Sequence, residues 1–280
     1  MRVNLISTGA VCVLACFCAA CGGGGENKTA EQQPAAGQAV WKPTGDEGSV
    51  TGKVSFQGQA PKLRALQMDA DAVCAAKHKE AVYPETVVAN SNGTLRNVFV
   101  YVKSGLEGKT FAVPTEPAVI DQNGCLYQPH VLGMQARQQL KVVTSDNTTH
   151  NIHPMPKVNR EWNISQPPGA DPLMQTFARS EISVPVKCNQ HPWMKAWINV
   201  VDHPFFAVTG ADGGFEIKGL PPGNYEIEAI QEQYGAQTQK VTVAAKQSAT
   251  AEFSYKADQA YRQGSLKVVP ALVLACCGEK

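Results

Sequence analysis

The chain has 280 residues, with 25 Lys and Arg against 24 Asp and Glu, 43% apolar and 7% aromatic residues, 24 Gly, 18 Pro and 9 Cys. That length supports one or two domains with a buried core, and the composition is neither collagen-like nor that of a wholly disordered chain. A near-zero charge excludes a strongly basic nucleic-acid binder and an acidic tail protein.

At the N-terminus Arg2 supplies a positive start, Leu5 to Ala20 is uncharged and mostly apolar, and Ala19-Ala20 precede Cys21. A stretch this short, followed at once by Gly22 to Gly25, reads as a cleaved export signal, residues 1–21, rather than a spanning helix. It resembles a bacterial lipoprotein signal, which implies cleavage before Cys21 and a lipid on that cysteine. Val13-Leu14-Ala15-Cys16 fits the same pattern, and an ordinary secretory signal is the plainer alternative. Both readings put the remaining chain outside the cytoplasm, where disulfides persist; the lipoprotein resemblance implies a bacterial cell envelope, facing the periplasm or the exterior. Residues 22–48 are rich in Gly, Ala, Gln, Pro and Glu, with Trp41 as their one aromatic, and predict a flexible tether.

From Gly48 to about Tyr255 short β-branched and apolar runs alternate with turn residues. They are Val50 to Phe56, Val98 to Lys103, Gln139 to Thr144, Ile182 to Lys187, Trp197 to Val201, Phe215 to Lys218, Tyr225 to Ile230 and Gln239 to Ala244. Strands at this spacing predict an all-β fold of antiparallel sandwich or barrel type. The exception is a short helix over Met68 to Lys79. The tail 256–280 contains Val268 to Cys277, apolar but only about ten residues, too short to cross a bilayer.

The chemistry concentrates in Lys187-Cys188-Asn189-Gln190-His191-Pro192-Trp193-Met194, which starts where a strand ends and puts a thiol, an imidazole and a thioether on one loop. Those donors, completed by a second His, make up a mononuclear blue-copper set; Met194 favours copper over zinc, for which a thioether is a poor ligand. The second His is sought in Thr149-His150-Asn151-Ile152-His153, where His150 and His153 compete. Each of these residues alone is more simply a packed core residue.

Cys188-x-x-His191-x-x-Met194 resembles the ligand loop of the cupredoxins, in the short amicyanin-type form, and Thr149 to His153 is similar to that family's upstream ligand segment. The resemblance covers about residues 117–203 and implies a Greek-key sandwich. It implies one copper ion held by His150, Cys188, His191 and Met194, with Asn151 tying the His segment to the Cys loop. His153 is then a hydrogen-bonded neighbour. It also implies that His191 reaches the surface as the exit edge for electrons, with Pro192 and Trp193 as an apolar docking patch for a redox partner; a core aromatic is the simpler role for Trp193.

Cys74 and Cys125 are read as a disulfide stapling the long insert to the sandwich. The alternative is a second metal site, Cys74 with His78 and Cys125 with His130; His130 and His203 are otherwise structural. Downstream, Val208 to Ile217 and Gly219 to Ile227 resemble the carboxypeptidase regulatory-like β-sandwich, of transthyretin or immunoglobulin type, a module nearly silent on activity. The expected organisation is a copper domain over 49–205 and this module over 206–255, with 49–103 able to pair with the module. The functional expectation is a membrane-anchored extracytoplasmic electron carrier serving a periplasmic or membrane redox protein, without enzymatic activity, nucleic acid or small-molecule substrate. Copper storage, or a structural binding lipoprotein, is the alternative.

Overall fold

The computed structural model describes residues 39–258; Cys21, the export signal, Cys276 and Cys277 lie outside the described residues. In chain order the elements are β1 (Gly48–Gln57), α1 (Ala72–Lys77), β2 (Val88–Ala89), β3 (Leu95–Arg96), β4 (Phe99–Ser104), β5 (Ala118–Gln122), β6 (Tyr127–Gln128), β7 (Val131–Gln135), β8 (Gln139–Thr144) and β9 (His150–Pro154). They continue as β10 (Ile164–Gln166), β11 (Leu173–Thr176), β12 (Glu181–Lys187), β13 (Lys195–Val201), β14 (Phe206–Val208), β15 (Gly214–Leu220), β16 (Gly223–Gln231), β17 (Gly235–Val243), β18 (Ser248–Thr250) and β19 (Phe253–Lys256). The fold is all-β, and α1 is the sole α-helix among the described residues.

Alternation builds the strands. In β1 the buried Val50, Val54 and Phe56 share one face, the period-two pattern of a strand with one side on a core. β1 pairs antiparallel with β15 and parallel with β18 and β19. A second sheet, ordered β14-β4-β16-β17, completes this sandwich, and Val50, Val100, Ile217, Ile227, Val243 and Tyr255 are among the residues filling it.

Between Ser104 and Phe206 the chain makes two further sheets, β10-β9-β12-β13-β7 and β11-β8-β5-β6. Their strands pair in both senses, with β13 parallel to β7 and β5 parallel to β8. The core of this second sandwich includes Ile120, Leu140, Val142, Ile152, Val186 and Ile198. α1 leaves the first sandwich, since it lies between β1 and β4 in the chain, but its Cys74 is buried in the second core. A third apolar cluster, Phe99 and Tyr101 with Val131 and Val201, joins the two sandwiches.

The segment expected to be a tether up to residue 48 ends earlier. The Trp41 N–H donates to Thr110 O at 2.7 Å, and the indole packs against Phe111 and Phe205. One large aromatic ring with a pocket to fill is enough to dock the end of a polar stretch. Among the described residues no helix is long and apolar enough to cross a membrane.

Candidate metal centre

His150 is the first residue of β9, and Cys188 directly follows β12, which runs antiparallel beside β9. This pairing brings the two sequence motifs together. The loop after Cys188 closes on itself: Cys188 N donates to Met194 O at 3.3 Å, Met194 N to His191 O at 2.9 Å and His191 N to Cys188 Sγ at 3.4 Å. Asn151 links loop and strand, its Oδ1 accepting from Asn189 N at 2.7 Å and from the Cys188 thiol at 3.3 Å. Nδ1 of His150 lies 2.9 Å from Nδ1 of His191, and Cys188 Sγ is 3.6 Å from the latter. Donor atoms of His150, Cys188 and His191 lie within 4.8 Å of one another, all three residues buried. Met194 is fully buried in the same apolar cluster as Cys188.

The far nitrogens of both rings meet carboxylates. His150 Nε2 lies 2.9 Å from Asp146 Oδ2, and His191 Nε2 lies 3.1 Å from Asp71 Oδ2. Asp71 is the N-cap of α1; its Oδ1 accepts from Val73 N and Cys74 N, and its Oδ2 from Thr148. Asp146 is gripped by successive N–H groups of Gly124 and Cys125, at 2.8 and 2.6 Å, and by Lys77 Nζ at 3.0 Å. Gly124 and Cys125 both adopt positive φ, at 66° and 55°, which turns their two N–H groups to the same side. Burial pushes the Asp71 carboxyl up, but the bonds from Cys74 N, Thr148, His191 and Val73 outweigh it and hold the pKa at about 2. Burial likewise opposes ionisation of Asp146 and is overcome by Cys125 N, Lys77, His150 and Gly124 N, which lower its pKa. The His150 pKa is lowered, chiefly by burial.

Ionised carboxylates only accept, so each Nε2 must donate, and a neutral imidazole then presents a bare lone pair at Nδ1. Two such lone pairs 2.9 Å apart, with a sulfur beside one of them, repel unless a positive charge lies among them. Two imidazoles, a thiol able to ionise and a nearby thioether suit a soft or borderline transition-metal ion.

The remaining predicted residues fall as follows. His153 faces away from this cluster, Nδ1 at 3.2 Å from Asn189 Oδ1 and Nε2 at 2.6 Å from Glu161. Cys74 and Cys125 form a disulfide that ties α1 to the turn gripping Asp146. That bond rules out the second site built on Cys74 with His78 and Cys125 with His130. His78 Nε2 instead binds Gly124 O at 2.7 Å, and His130 binds Lys195 O and Glu232. His203 Nε2 binds Val102 O at 2.8 Å. The exit edge expected at His191 is not at the surface: the residue is 4% exposed and its Nε2 is occupied by Asp71. Pro192 is exposed, but half-buried Trp193 turns its Nε1–H to Cys125 O at 3.1 Å and packs beside His191. The insert carrying α1 covers this edge. Asp71 and Asp146 are partners of the donors and not donors themselves, so no ligand motif marks them; the one signal in the sequence is Asp146 standing four residues before His150.

Residues 189–256 match the family model of the carboxypeptidase regulatory-like domain. The match begins inside the Cys188–Met194 loop and takes in β13, which pairs with β7 and β12 in the other sandwich. No curated protein matches the chain. Among solved structures, the copper-containing nitrite reductase of Thermus scotoductus SA-01 aligns at 20% identity over 32% of this chain, with a TM-score of 0.27; the chain covers only 24% of that protein. The purple cupredoxin of Nitrosopumilus maritimus aligns at 18% identity over 30% of this chain and 98% of its own, TM-score 0.26. A Cu(I) form of an amicyanin variant aligns at 19% identity over 37% of this chain and 98% of its own, TM-score 0.28. Overlaps this slight concern part of the backbone and decide nothing about chemistry.

Proposed function

We propose that the chain binds one copper ion, which His150, Cys188, His191 and Met194 would hold, and carries single electrons outside the cytoplasm, anchored through lipid on Cys21. The observation that carries the metal reading is the pair of Nδ1 atoms at 2.9 Å beside the Cys188 thiol, each ring's other nitrogen already committed to a carboxylate. Copper there supplies a one-electron couple. The protein's part is to present two lone pairs and a thiolate on a loop pinned by Asn151, and to keep water out, since His150, Cys188, His191 and Met194 are all buried. Cys188 and His191 are both buried and both spent as donors in this reading, so the site is read as a carrier or binder and not as an enzyme.

Copper-loaded protein should show an intense visible thiolate-to-Cu(II) band with a small parallel hyperfine splitting. Cys188→Ser and His150→Ala should each lose the band, while His153→Ala keeps it. A colourless Cu(II) protein, or a band surviving Cys188→Ser, sinks the proposal. The cover of Asp71 and α1 over His191 favours a second reading, copper storage, in which self-exchange of electrons is slow. A fast self-exchange rate would set storage aside.

A further inference from the structure

We infer that Asp71 and Asp146 are positioning residues that fix both imidazoles as Nε2–H tautomers and bias the bound metal toward its divalent state. The inference deepens the copper reading and rests on it. Three observations carry it. Each imidazole meets one carboxylate, at 2.9 and 3.1 Å. The carboxylates are built independently: Asp71 caps a helix, while Asp146 sits on a positive-φ turn. The disulfide Cys74–Cys125 clamps these two supports together, so both carboxylates are held to the same centre.

The physical consequence follows from charge. A carboxylate on the far N–H of a ligating imidazole fixes its orientation and raises its basicity. With the Cys188 thiolate, Asp71 and Asp146 place three negative charges around one buried site, offset, among the described residues in contact with these groups, by Lys77 alone, and that from a partly exposed position on Asp146. In a medium of low effective dielectric, such surroundings stabilise a divalent ion more than a monovalent one. The centre should therefore be a comparatively poor electron acceptor and a ready donor. Sequence patterns for metal ligands carry little trace of this beyond the spacing of Asp146 and His150, because both groups act through the ligands.

Asp71→Asn is the informative variant, because it keeps the size of the side chain while removing the charge; its one oxygen can serve either the α1 amides or His191 Nε2–H, which adds to the loss of charge at the ring. In the copper-loaded protein at a fixed ambient potential, the Cu(II)-to-Cu(I) ratio should fall about tenfold, equivalent to a rise of about 59 mV for a one-electron couple. Lys77→Met removes the opposing charge and should move the ratio the other way. An unchanged ratio in Asp71→Asn, with the Cys188-dependent band intact, overturns the inference and leaves the copper reading standing. If the wild type shows no such band, the copper reading fails and two other measurements decide. Nitrogen-15 NMR of the metal-free protein should find protons on both Nε2 atoms, and a bare Nε2 on either ring overturns the inference. Zinc(II) affinity should drop about tenfold in Asp71→Asn; a change under twofold overturns it.

Discussion

At the scale of single residues, the candidate centre depends on side chains outside its donor set. Asn151 is the clearest: its Oδ1 serves both Asn189 N and the Cys188 thiol, and its Nδ2 donates to Asn163 Oδ1 at 2.7 Å. Asn151→Ala removes the acceptor of the part-buried Asn189 N–H and should cost about 0.5–1.5 kcal/mol in denaturant unfolding. It should also broaden the Cu(II) spectrum, because the Cys loop loses its tie to β9; an unaltered spectrum would mean that the Cys188–Met194 backbone bonds hold the loop alone. Cys188, His191 and Met194 were legible as one donor loop, and His150 and His153 as its candidate partners, because two motifs sat at strand ends and needed only one strand pairing to meet; the preference for His150 came from the resemblance. Nothing local told His150 from His153. Placement of one in the cluster and the other against Glu161 comes from the facing of β9, which needs its neighbours β10 and β12.

At the scale of elements, long amphipathic strands such as β1, β8, β12 and β16 were legible because alternation or β-branched runs mark them. Two-residue strands such as β2, β3 and β6 were not, since two residues carry no period. Nor was the position of α1: a six-residue helix has too little surface of its own to state where it packs. The disulfide supplies that information. It closes a separation of 51 residues, which in the chain-entropy account stabilises the fold by about 4 kcal/mol. Cys74→Ala with Cys125→Ala should lower stability by about 2–4 kcal/mol in equilibrium unfolding and loosen α1. Since Asp71 caps that helix, hydrogen exchange at Val73 and Cys74 N–H should accelerate in the double variant, or in its Cys125→Ala member alone. Unchanged protection at those amides would show that Thr148 and His191 hold Asp71 in place without the crosslink.

At the scale of the whole molecule, the two sandwiches meet along β4, β7 and β13. Gly133 lets them close: a Cβ there would come within 2.6 Å of the Phe206 ring and 2.7 Å of Phe99. No single-strand pattern displays such a seam, because Phe99, Tyr101 and Val131 read as ordinary core residues until both sandwiches exist. Beside it, His130 on the approach to β7 pairs with Glu232 after β16, Nε2 to Oε2 at 2.6 Å. Burial pushes the His130 pKa down, but Glu232 foremost, then Glu85 and the Lys195 carbonyl, raise it above its ordinary 6.5. A group whose folded pKa exceeds its unfolded value binds its proton more tightly when folded, so its contribution is complete below pH 6.5 and disappears as pH rises through the higher folded value. Wild type should therefore lose stability relative to Glu232→Gln on going from pH 6 upward, with the largest gap between the two on the acid side. A gap that is the same at pH 5.5 and pH 9 would mean that the pair holds the sandwiches as a neutral hydrogen bond, with no proton taken up on folding.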